Sequence, residues 1–229
     1  MAAAVPAALV LAACLESPPA GDGPPDGAPD AAAAIDAGPA ACTPVEAPFD
    51  GAELDMAIWE PFTTDGGSLQ QTEGVLVLDS APAVDDYAYI DVHTRTPTSL
   101  TGFSVVVDLG VTFEGNGDAA LTVSSIVNDN YYGVAADSGV LMGIRDFGAF
   151  ESFCAGTCPP YSDIVQRFWR IQDRGDELHF EFSSDEVEWV ELAPPQPTPV
   201  GDHIVSLWAE SGAGNRATAA IQQLTATCQ

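Results

Sequence analysis

Short apolar runs with strand-like alternation are the feature that most restricts what this chain can fold into. From residue 75 to residue 227 these runs follow one another at close intervals, separated by Gly, Asn, Asp or Pro. None of them shows a sustained helical period with capping residues at its ends. Many short strands without helices are typical of an antiparallel β-sandwich, so the sequence predicts an all-β fold.

The runs also show which side chains share a face. Trp169 and Ile171 alternate with Arg170 and Gln172, so the two pairs lie on opposite faces of a strand. The complete set of predicted strands is 75–79, 87–93, 102–113, 120–128, 131–137, 140–147, 167–174, 177–182, 189–192, 203–210 and 217–227.

Tight turns are predicted between several of these strands. Gly115-Asn116-Gly117-Asp118 lies between two apolar runs, and an Asn-Gly pair favours the positive backbone angles of a hairpin turn. Asn128-Asp129-Asn130 and Asp173-Arg174-Gly175-Asp176 have similar turn chemistry. The sequence therefore predicts a hairpin at each of these three places.

The N-terminus has a different character. Residues 2–13 form an apolar run that is too short to span a bilayer but suits the core of a signal peptide. The run ends in Leu11-Ala12-Ala13-Cys14, which resembles the lipobox of bacterial lipoproteins, whose cysteine is lipidated and becomes the mature N-terminus. An alanine-rich tail with a chance cysteine is the alternative. The resemblance favours residues 1–14 as a lipoprotein signal peptide with Cys14 as the lipidation site.

Residues 15–41 have the composition of a flexible tether. Of these 27 residues, 23 are Ala, Pro, Gly or Asp, and none is aromatic or positively charged. Such a segment cannot bury enough apolar surface to offset the entropy lost on ordering. The sequence therefore predicts a disordered linker over 15–41 and one folded domain over 42–229, which contains all the aromatic residues.

Four cysteines remain once Cys14 is set aside, and in an exported domain they suggest two disulfides, with three pairings open. Cys42 opens the folded region and Cys228 is the penultimate residue, so their pairing would join its two ends. Cys154 and Cys158 would close a small local loop. A metal site is the alternative for this second pair, but a C-x3-C spacing without further Cys or His nearby gives too few ligands. The preferred pairings are Cys42–Cys228 and Cys154–Cys158.

The charge of the chain excludes one class of partner. There are 34 acidic side chains against six basic ones, giving a formal charge of −28, and residues 42–229 alone carry −23. A phosphate backbone requires a basic surface, so nucleic acid is not expected as a partner. Cations, neutral glycans and basic proteins stay compatible with this charge.

Two stretches resemble concanavalin A-like lectin/glucanase domains. Phe49-Asp50-Gly51, followed by Leu54-Asp55 and Trp59, resembles the opening of these domains. The second stretch resembles the W-R-I…F-E-x-S-x-D-x-x-x-W hairpin of laminin-G-like members, and it consists of Trp169-Arg170-Ile171, Phe180-Glu181-Phe182-Ser183, Asp185 and Trp189. The resemblance implies a jelly-roll β-sandwich, a fold that hosts lectins, glycosidases and modules without activity.

No catalytic residues are predicted. Laminarinase-type glucanases of this fold carry E-x-D-x-x-E on one strand, where two carboxylates flank the glycosidic bond. Residues 186–191 (EVEWVE) have this spacing with glutamate at the middle position, but the resemblance places them at an exposed hairpin tip. His93, His179 and His203 lie on separate predicted strands. The motifs of acyl hydrolases, phosphate-binding loops and H-E-x-x-H zinc sites are missing from the sequence.

Calcium is the metal that the loops suit best, because carboxylate and amide oxygens are its preferred ligands. Glu114, Asn116 and Asp118 could converge at one hairpin tip, and Asp129 lies in a second oxygen-rich turn. Tight turns require the same residue types, so the sequence leaves a calcium site and a purely structural turn both open.

Glycan binding requires an exposed aromatic surface beside convergent polar groups. Trp169 and Trp189 are expected to pack the sandwich because of their place in the hairpin pattern. The remaining candidates for ligand contact are Tyr131, Tyr132, Tyr161, Trp59 and Trp208.

These observations together predict a lipid-anchored exported protein that displays a non-catalytic, lectin-like sandwich and binds glycan or protein at the cell surface. Leu15 is not the aspartate that retains lipoproteins at the inner membrane, so the resemblance implies the outer membrane. A structural envelope lipoprotein without a small ligand is the first alternative, and a glycoside hydrolase is the second.

Overall fold

The computed structural model describes residues 41–81, 87–128 and 130–229. The predicted signal peptide with Cys14, the predicted linker up to residue 40, and Asp129 lie outside the described residues. The described part of the chain forms strands and no helix, so it includes no helical segment of the length and apolarity needed to cross a membrane.

Sixteen strands make up the fold. Their bounds are β1 Val45–Ala47, β2 Trp59–Thr63, β3 Gly67–Thr72, β4 Val75–Ser80, β5 Ala88–Thr94, β6 Thr98–Ser99, β7 Phe103–Glu114, β8 Gly117–Ser125, β9 Tyr131–Asp137, β10 Val140–Asp146, β11 Phe150–Phe153, β12 Phe168–Asp173, β13 Glu177–Ser183, β14 Val190–Pro197, β15 Asp202–Ser211 and β16 Arg216–Cys228.

The strands form two antiparallel sheets packed face to face. The front sheet has the order β11-β10-β9-β8-β15-β5-β2, with β6 paired to β15. The back sheet has the order β14-β13-β12-β7-β16-β4-β3, with β1 paired to β16. This arrangement confirms the predicted all-β antiparallel sandwich with jelly-roll architecture.

The core lies between the two sheets and is built from alternate residues of each strand. On β7 and β15, Val105, Val107 and Leu207 are buried, while their sequence neighbours face outward. Trp59 and Trp169 are the largest fully buried side chains. Burial of so many apolar side chains is the main favourable contribution to folding.

The five strands that the sequence pattern did not reveal are β1, β2, β3, β6 and β11. β2, β3 and β11 are edge strands, and β1 and β6 are short strands outside the main order of each sheet. An edge strand has fewer apolar neighbours to contact, so its sequence shows little alternation. Pro61 within β2 is compatible with an edge position because it donates no ladder hydrogen bond.

One predicted hairpin is wrong. Residues 115–118 link β7 of the back sheet to β8 of the front sheet, so the two strands do not pair and the link crosses between the sheets. Gly115 has a φ of 87°, as the turn chemistry predicts, and the backbone N–H of Asn116 donates to Asn215 Oδ1 at 3.1 Å. Asn215 lies in the link from β15 to β16, which also crosses between the sheets.

The other two turns do join paired strands. Ser124 on β8 lies opposite Tyr131 on β9, and Asp173 on β12 lies opposite Leu178 on β13. Gly175 has a φ of 67° in the second turn. These short-range pairings agree with the predicted hairpins.

Both preferred cysteine pairings are present. Cys42 and Cys228 form a disulfide with Cα atoms 5.8 Å apart, which ties the residues before β1 to the end of β16. Cys154 and Cys158 form a second disulfide, with Cα atoms 5.3 Å apart, directly after β11.

The outer face of the back sheet carries a compact charged cluster. Glu181, whose side chain is 5% exposed, accepts from Arg170 at 2.6 Å and from Arg174 at 2.7 Å. The Arg170 guanidinium lies 3.8 Å from the centre of the Trp189 ring. Trp169 therefore packs the core as expected, whereas Trp189 is half-buried on the outside under Arg170.

Candidate functional site

A trough lies on the outer face of the front sheet. It has a cavity volume of about 360 Å³. Its floor is built from small side chains, its walls from aromatic rings, and one end from carboxylates. Strand alternation produces this composition because every second residue of each front strand points away from the core.

The floor is low because the central strands carry small residues on this face. Ser206 lies opposite Thr122, and Thr122 lies opposite Gly133. One pleat along, Ala120 and Ala135 are buried where Trp208 and Met142 pack against them. A Cβ at Gly133 would come within 2.7 Å of both the Leu121 carbonyl oxygen and Thr122 Cγ2, so no side chain fits there without displacing its neighbours.

Aromatic rings rise on both sides of this floor. Phe62, Tyr89 and Trp208 come from three neighbouring strands, with 6.1 Å between the ring centres of each adjacent pair. Tyr131 and Phe150 stand on the opposite side, and Phe150 is 56% exposed. Rings in this position offer an apolar face to a ligand that also needs hydrogen bonds from the floor.

One end of the trough is formed by the carboxylate row, which consists of Glu210, Asp118 and Asp137. Glu210 lies opposite Asp118, and Asp118 lies opposite Asp137, on three adjacent strands. Tyr87 donates its phenolic hydrogen to Glu210. Burial, followed by hydrogen bonding and charge repulsion from Asp137 and Glu210, raises the pKa of Asp118 to about 8. The row therefore retains a proton at neutral pH.

A second acid lies in the same face between two aromatic rings. Asp91 is 8% exposed and lies opposite both Phe62 and Trp208. Its Oδ2 atom is 2.7 Å from Nδ1 of His93, while Oδ1 has no hydrogen-bond partner. Burial raises the pKa of Asp91, and the hydrogen bond to Asp91 raises the pKa of His93.

Of the five aromatic residues expected to contact a ligand, Tyr131 and Trp208 lie in the trough. The other three lie away from the trough and pack mainly against the core. Trp59 is 1% exposed, and Tyr132, at 7% exposed, packs against Phe180. Tyr161 accepts a hydrogen bond at 2.9 Å from the backbone of β7 and meets the ring of Trp169 edge-on.

Sequence reasoning missed Tyr89, Phe62 and Phe150. The alternation of Tyr89, Asp91 and His93 along β5 is visible in the sequence and could have marked one polar face. Phe62 and Phe150 belong to edge strands that the pattern did not reveal. Their place beside the trough follows only from the order of strands in the sheet.

The proposed calcium ligands are not brought together. Glu114 ends β7 in the back sheet opposite Arg216, whereas Asp118 belongs to the front sheet and faces Asp137. Asn116 is exposed in the link between the sheets, and Asp129 lies outside the described residues. Across residues 41–81, 87–128 and 130–229, no three His, Cys, Asp or Glu side chains are arranged to hold a metal ion.

The E-x-E-x-x-E segment lies away from the trough. Glu186 has a φ of 63° in the turn after β13, Glu188 is exposed, and Glu191 lies on β14 at the edge of the back sheet. The three histidines also stay separate, because His179 contacts Glu191 on the back sheet and His203 is buried against the Gly201 carbonyl. The acids of the trough, Glu210, Asp118 and Asp137, instead come from three adjacent strands.

No family model matches the chain, and no curated protein matches it in sequence. Solved structures share its fold. The laminarinase catalytic domain from Thermotoga maritima aligns with a TM-score of 0.56 and 11% identity, covering 81% of this chain and 97% of that one. A pseudo beta-1,3-glucanase of Mycobacterium tuberculosis aligns with a TM-score of 0.54 and 12% identity, covering 81% and 98%.

A carbohydrate-binding module, CBM66 from Bacillus subtilis, aligns with a TM-score of 0.50 and 18% identity, covering 75% of this chain and 96% of that one. The three structures are concanavalin A-like jelly rolls, and their likeness to this chain shows that it has the same fold. Identities this low show the fold alone, so function has to be argued from the trough itself.

Proposed function

We propose that this domain is a non-catalytic carbohydrate-binding module that holds a glycan in the trough. The observation that carries the proposal is the aromatic wall of Tyr89 and Trp208, with Phe62 packed next to Tyr89, beside a floor of hydroxyl-bearing side chains. A sugar ring presents C–H groups on its faces and hydroxyls around its edge, and these match an aromatic face and a polar floor. The similarity to a carbohydrate-binding module and to glucanase-like proteins supports this choice of ligand class.

The arrangement of the acids supports binding rather than hydrolysis. Glycosidases hold two carboxyl groups about 5–9.5 Å apart so that they flank the scissile bond. In the carboxylate row, Asp118 is hydrogen-bonded to Asp137 and Glu210. Asp118 contacts both neighbours and lies between Glu210 and Asp137, so no pair within the row encloses a space for a sugar.

The test is glycan binding by Trp208→Ala compared with the matched variant Trp189→Ala. A glycan array identifies a ligand, and calorimetry then measures its affinity for each protein. Trp208→Ala should weaken binding at least tenfold, which corresponds to about 1.4 kcal/mol. Trp189→Ala removes a half-buried tryptophan from the back sheet and should leave the affinity unchanged within twofold.

Equal losses in both variants would place the ligand elsewhere, and a blank array would contradict carbohydrate binding. Release of reducing sugar from the identified glycan by the unaltered protein would contradict the non-catalytic assignment. Melting curves of both variants check that each one is folded.

We further infer that the protein is exported and lipid-anchored at the outer membrane or cell surface, with residues 1–14 as signal peptide, 15–41 as linker and 42–229 as the displayed domain. Two disulfides support an oxidising compartment outside the cytoplasm. The anchor is tested by metabolic labelling with a radioactive fatty acid. Cys14→Ala should abolish labelling and release the protein from membranes, and persistent labelling would contradict the anchor.

A further inference from the structure

The positive charges of the domain are all engaged in ion pairs. Each of the six arginines pairs with an acid, and none of them lines the trough. Arg95 pairs with Glu60 and Arg145 with Glu151, and these are the two arginines of the front-sheet region. The charged side chains that line the trough are therefore the acids of the carboxylate row.

The geometry of the carboxylate row concentrates this negative charge. Asp118 lies directly opposite Glu210 on one side and Asp137 on the other, so the Cβ atoms of each neighbouring pair are about 4.5–5.5 Å apart. The titratable groups that face Asp118 from neighbouring elements are these two acids and the tyrosines Tyr87, on the approach to β5, and Tyr131. Like charges at this spacing repel, so the row favours any ligand that brings a positive charge.

A further acid lies on the same face as the carboxylate row. The side chain of Asp91 is 11% exposed, its Oδ2 atom contacts His93, and its Oδ1 atom has no hydrogen-bond partner. It lies between Phe62 and Trp208, one pleat along β5 from Tyr89, whose cross-strand neighbour is Glu210. The outer face of the front sheet therefore carries a further acid beside the aromatic rings of the trough.

We propose that the trough selects glycans whose hexosamine residues carry a free, protonated amine, with the ammonium group among Glu210, Asp118 and Asp137 and the sugar ring against Trp208. This inference rests on the proposed carbohydrate-binding function and names its ligand class. An ammonium group offers three N–H donors and a positive charge to a row of carboxyl groups, whose ionised oxygens accept hydrogen bonds. N-acetylation removes the charge, and uronic acids, sialic acids and sulfated sugars would be repelled.

Binding of the ammonium group should be linked to a proton. The pKa of Asp118 is about 8, so the free protein holds a proton in the row at pH 6. An arriving cation stabilises the ionised carboxylate and lowers that pKa, so the proton leaves as the ligand binds. A neutral sugar ring has no charge with which to displace this proton.

The experiment compares the hexamer of glucosamine with the hexamer of N-acetylglucosamine, which have the same length and linkage. Calorimetry at about pH 6 in two buffers of different ionisation enthalpy measures affinity and proton release together. The glucosamine hexamer should bind at least tenfold more tightly and release about one proton. Glu210→Gln and Asp137→Asn should each remove most of this preference. Asp118→Asn should abolish the proton release, and Glu191→Gln on the back sheet is the matched control.

Each other outcome has a definite meaning. Equal affinity for the two hexamers, with both lost in Trp208→Ala, would overturn amine selection and leave carbohydrate binding in place. Failure of every glycan to bind would overturn the proposed function together with this inference. A trilysine peptide that binds as tightly as the glucosamine hexamer, in a manner sensitive to Glu210→Gln, would overturn the glycan assignment in favour of a basic protein. A preference for the glucosamine hexamer that survives in folded Glu210→Gln and Asp137→Asn would overturn amine selection by the carboxylate row.

Discussion

Removal of the Cys42–Cys228 disulfide should destabilise the domain far more than removal of Cys154–Cys158. The first bond joins residues 186 positions apart, and the second joins residues four positions apart. A cross-link stabilises the folded state mainly because it lowers the entropy of the unfolded chain, and this effect grows with the logarithm of loop length. The relation gives about 5 kcal/mol for the long loop and about 2 kcal/mol for the short loop at 25 °C.

The assay is denaturation by guanidinium chloride, monitored by tryptophan fluorescence, for the double variants Cys42→Ser/Cys228→Ser and Cys154→Ser/Cys158→Ser. The free energy of unfolding in water should fall by about 5 kcal/mol in the first variant and by about 2 kcal/mol in the second. The second variant is the control because it also replaces two cysteines but leaves the ends of the fold joined.

Equal losses in the two variants would refute the loop-length argument. A larger loss in Cys154→Ser/Cys158→Ser would show that the local loop contributes folded-state contacts that outweigh chain entropy. In either case the unfolding slope should be compared with that of the unaltered protein, because a changed slope reports a change in the unfolded state itself.

Three further predictions concern individual side chains. Glu181→Gln should lower the free energy of unfolding by about 3 kcal/mol, because it leaves Arg170 without its buried partner. Glu151→Gln breaks a pair that is more than one-third exposed on both sides and should lower it by less than about 1 kcal/mol, so similar losses in the two variants would contradict the argument. Asp118→Asn should raise the melting temperature at pH 8 but not at pH 4, because a carboxyl whose pKa is raised to about 8 in the folded state makes the fold less stable as the pH rises towards that value. A gain at both pH values would show that ionisation of Asp118 is not the reason. Tyr161→Phe should lower the free energy of unfolding by about 1–2 kcal/mol, because the backbone N–H of Val111 loses its hydrogen-bond acceptor. An unchanged denaturation midpoint would show that water replaces the tyrosine hydroxyl as that acceptor.

Much of the fold could be predicted from the sequence because strand alternation is a local property. The predicted runs for β4, β5, β9 and β13 match the observed strands closely. The link at residues 115–118 could not be assigned in the same way, since Gly115 and Asn116 suit a hairpin turn and a crossing between sheets equally well. Only the pairing of β7 with β12 and β16 distinguishes the two cases.

The candidate site was less predictable because it depends on strand order. The sequence groups Asp118 with its neighbours Glu114 and Asn116 as possible metal ligands, whereas in the fold it faces Asp137 and Glu210. These partners are distant in the chain and become neighbours only through the order β9-β8-β15. The sequence predicts Trp208 as a candidate for ligand contact because a tryptophan suits a sugar ring, but the position of Tyr89 beside it depends on the pairing of β15 with β5.

The disulfide at the ends of the fold also fixes the point at which the preceding chain joins the domain. The backbone N–H of Thr43, next to Cys42, donates to Thr98, and Thr98 lies opposite His203 near the start of β15. Glu210 lies near the other end of the same strand, about 23 Å away at the usual rise per residue. The polypeptide therefore enters the domain at the end of β15 that lies away from Glu210. A ligand can reach the acidic end of the trough without passing the point at which the preceding chain is attached.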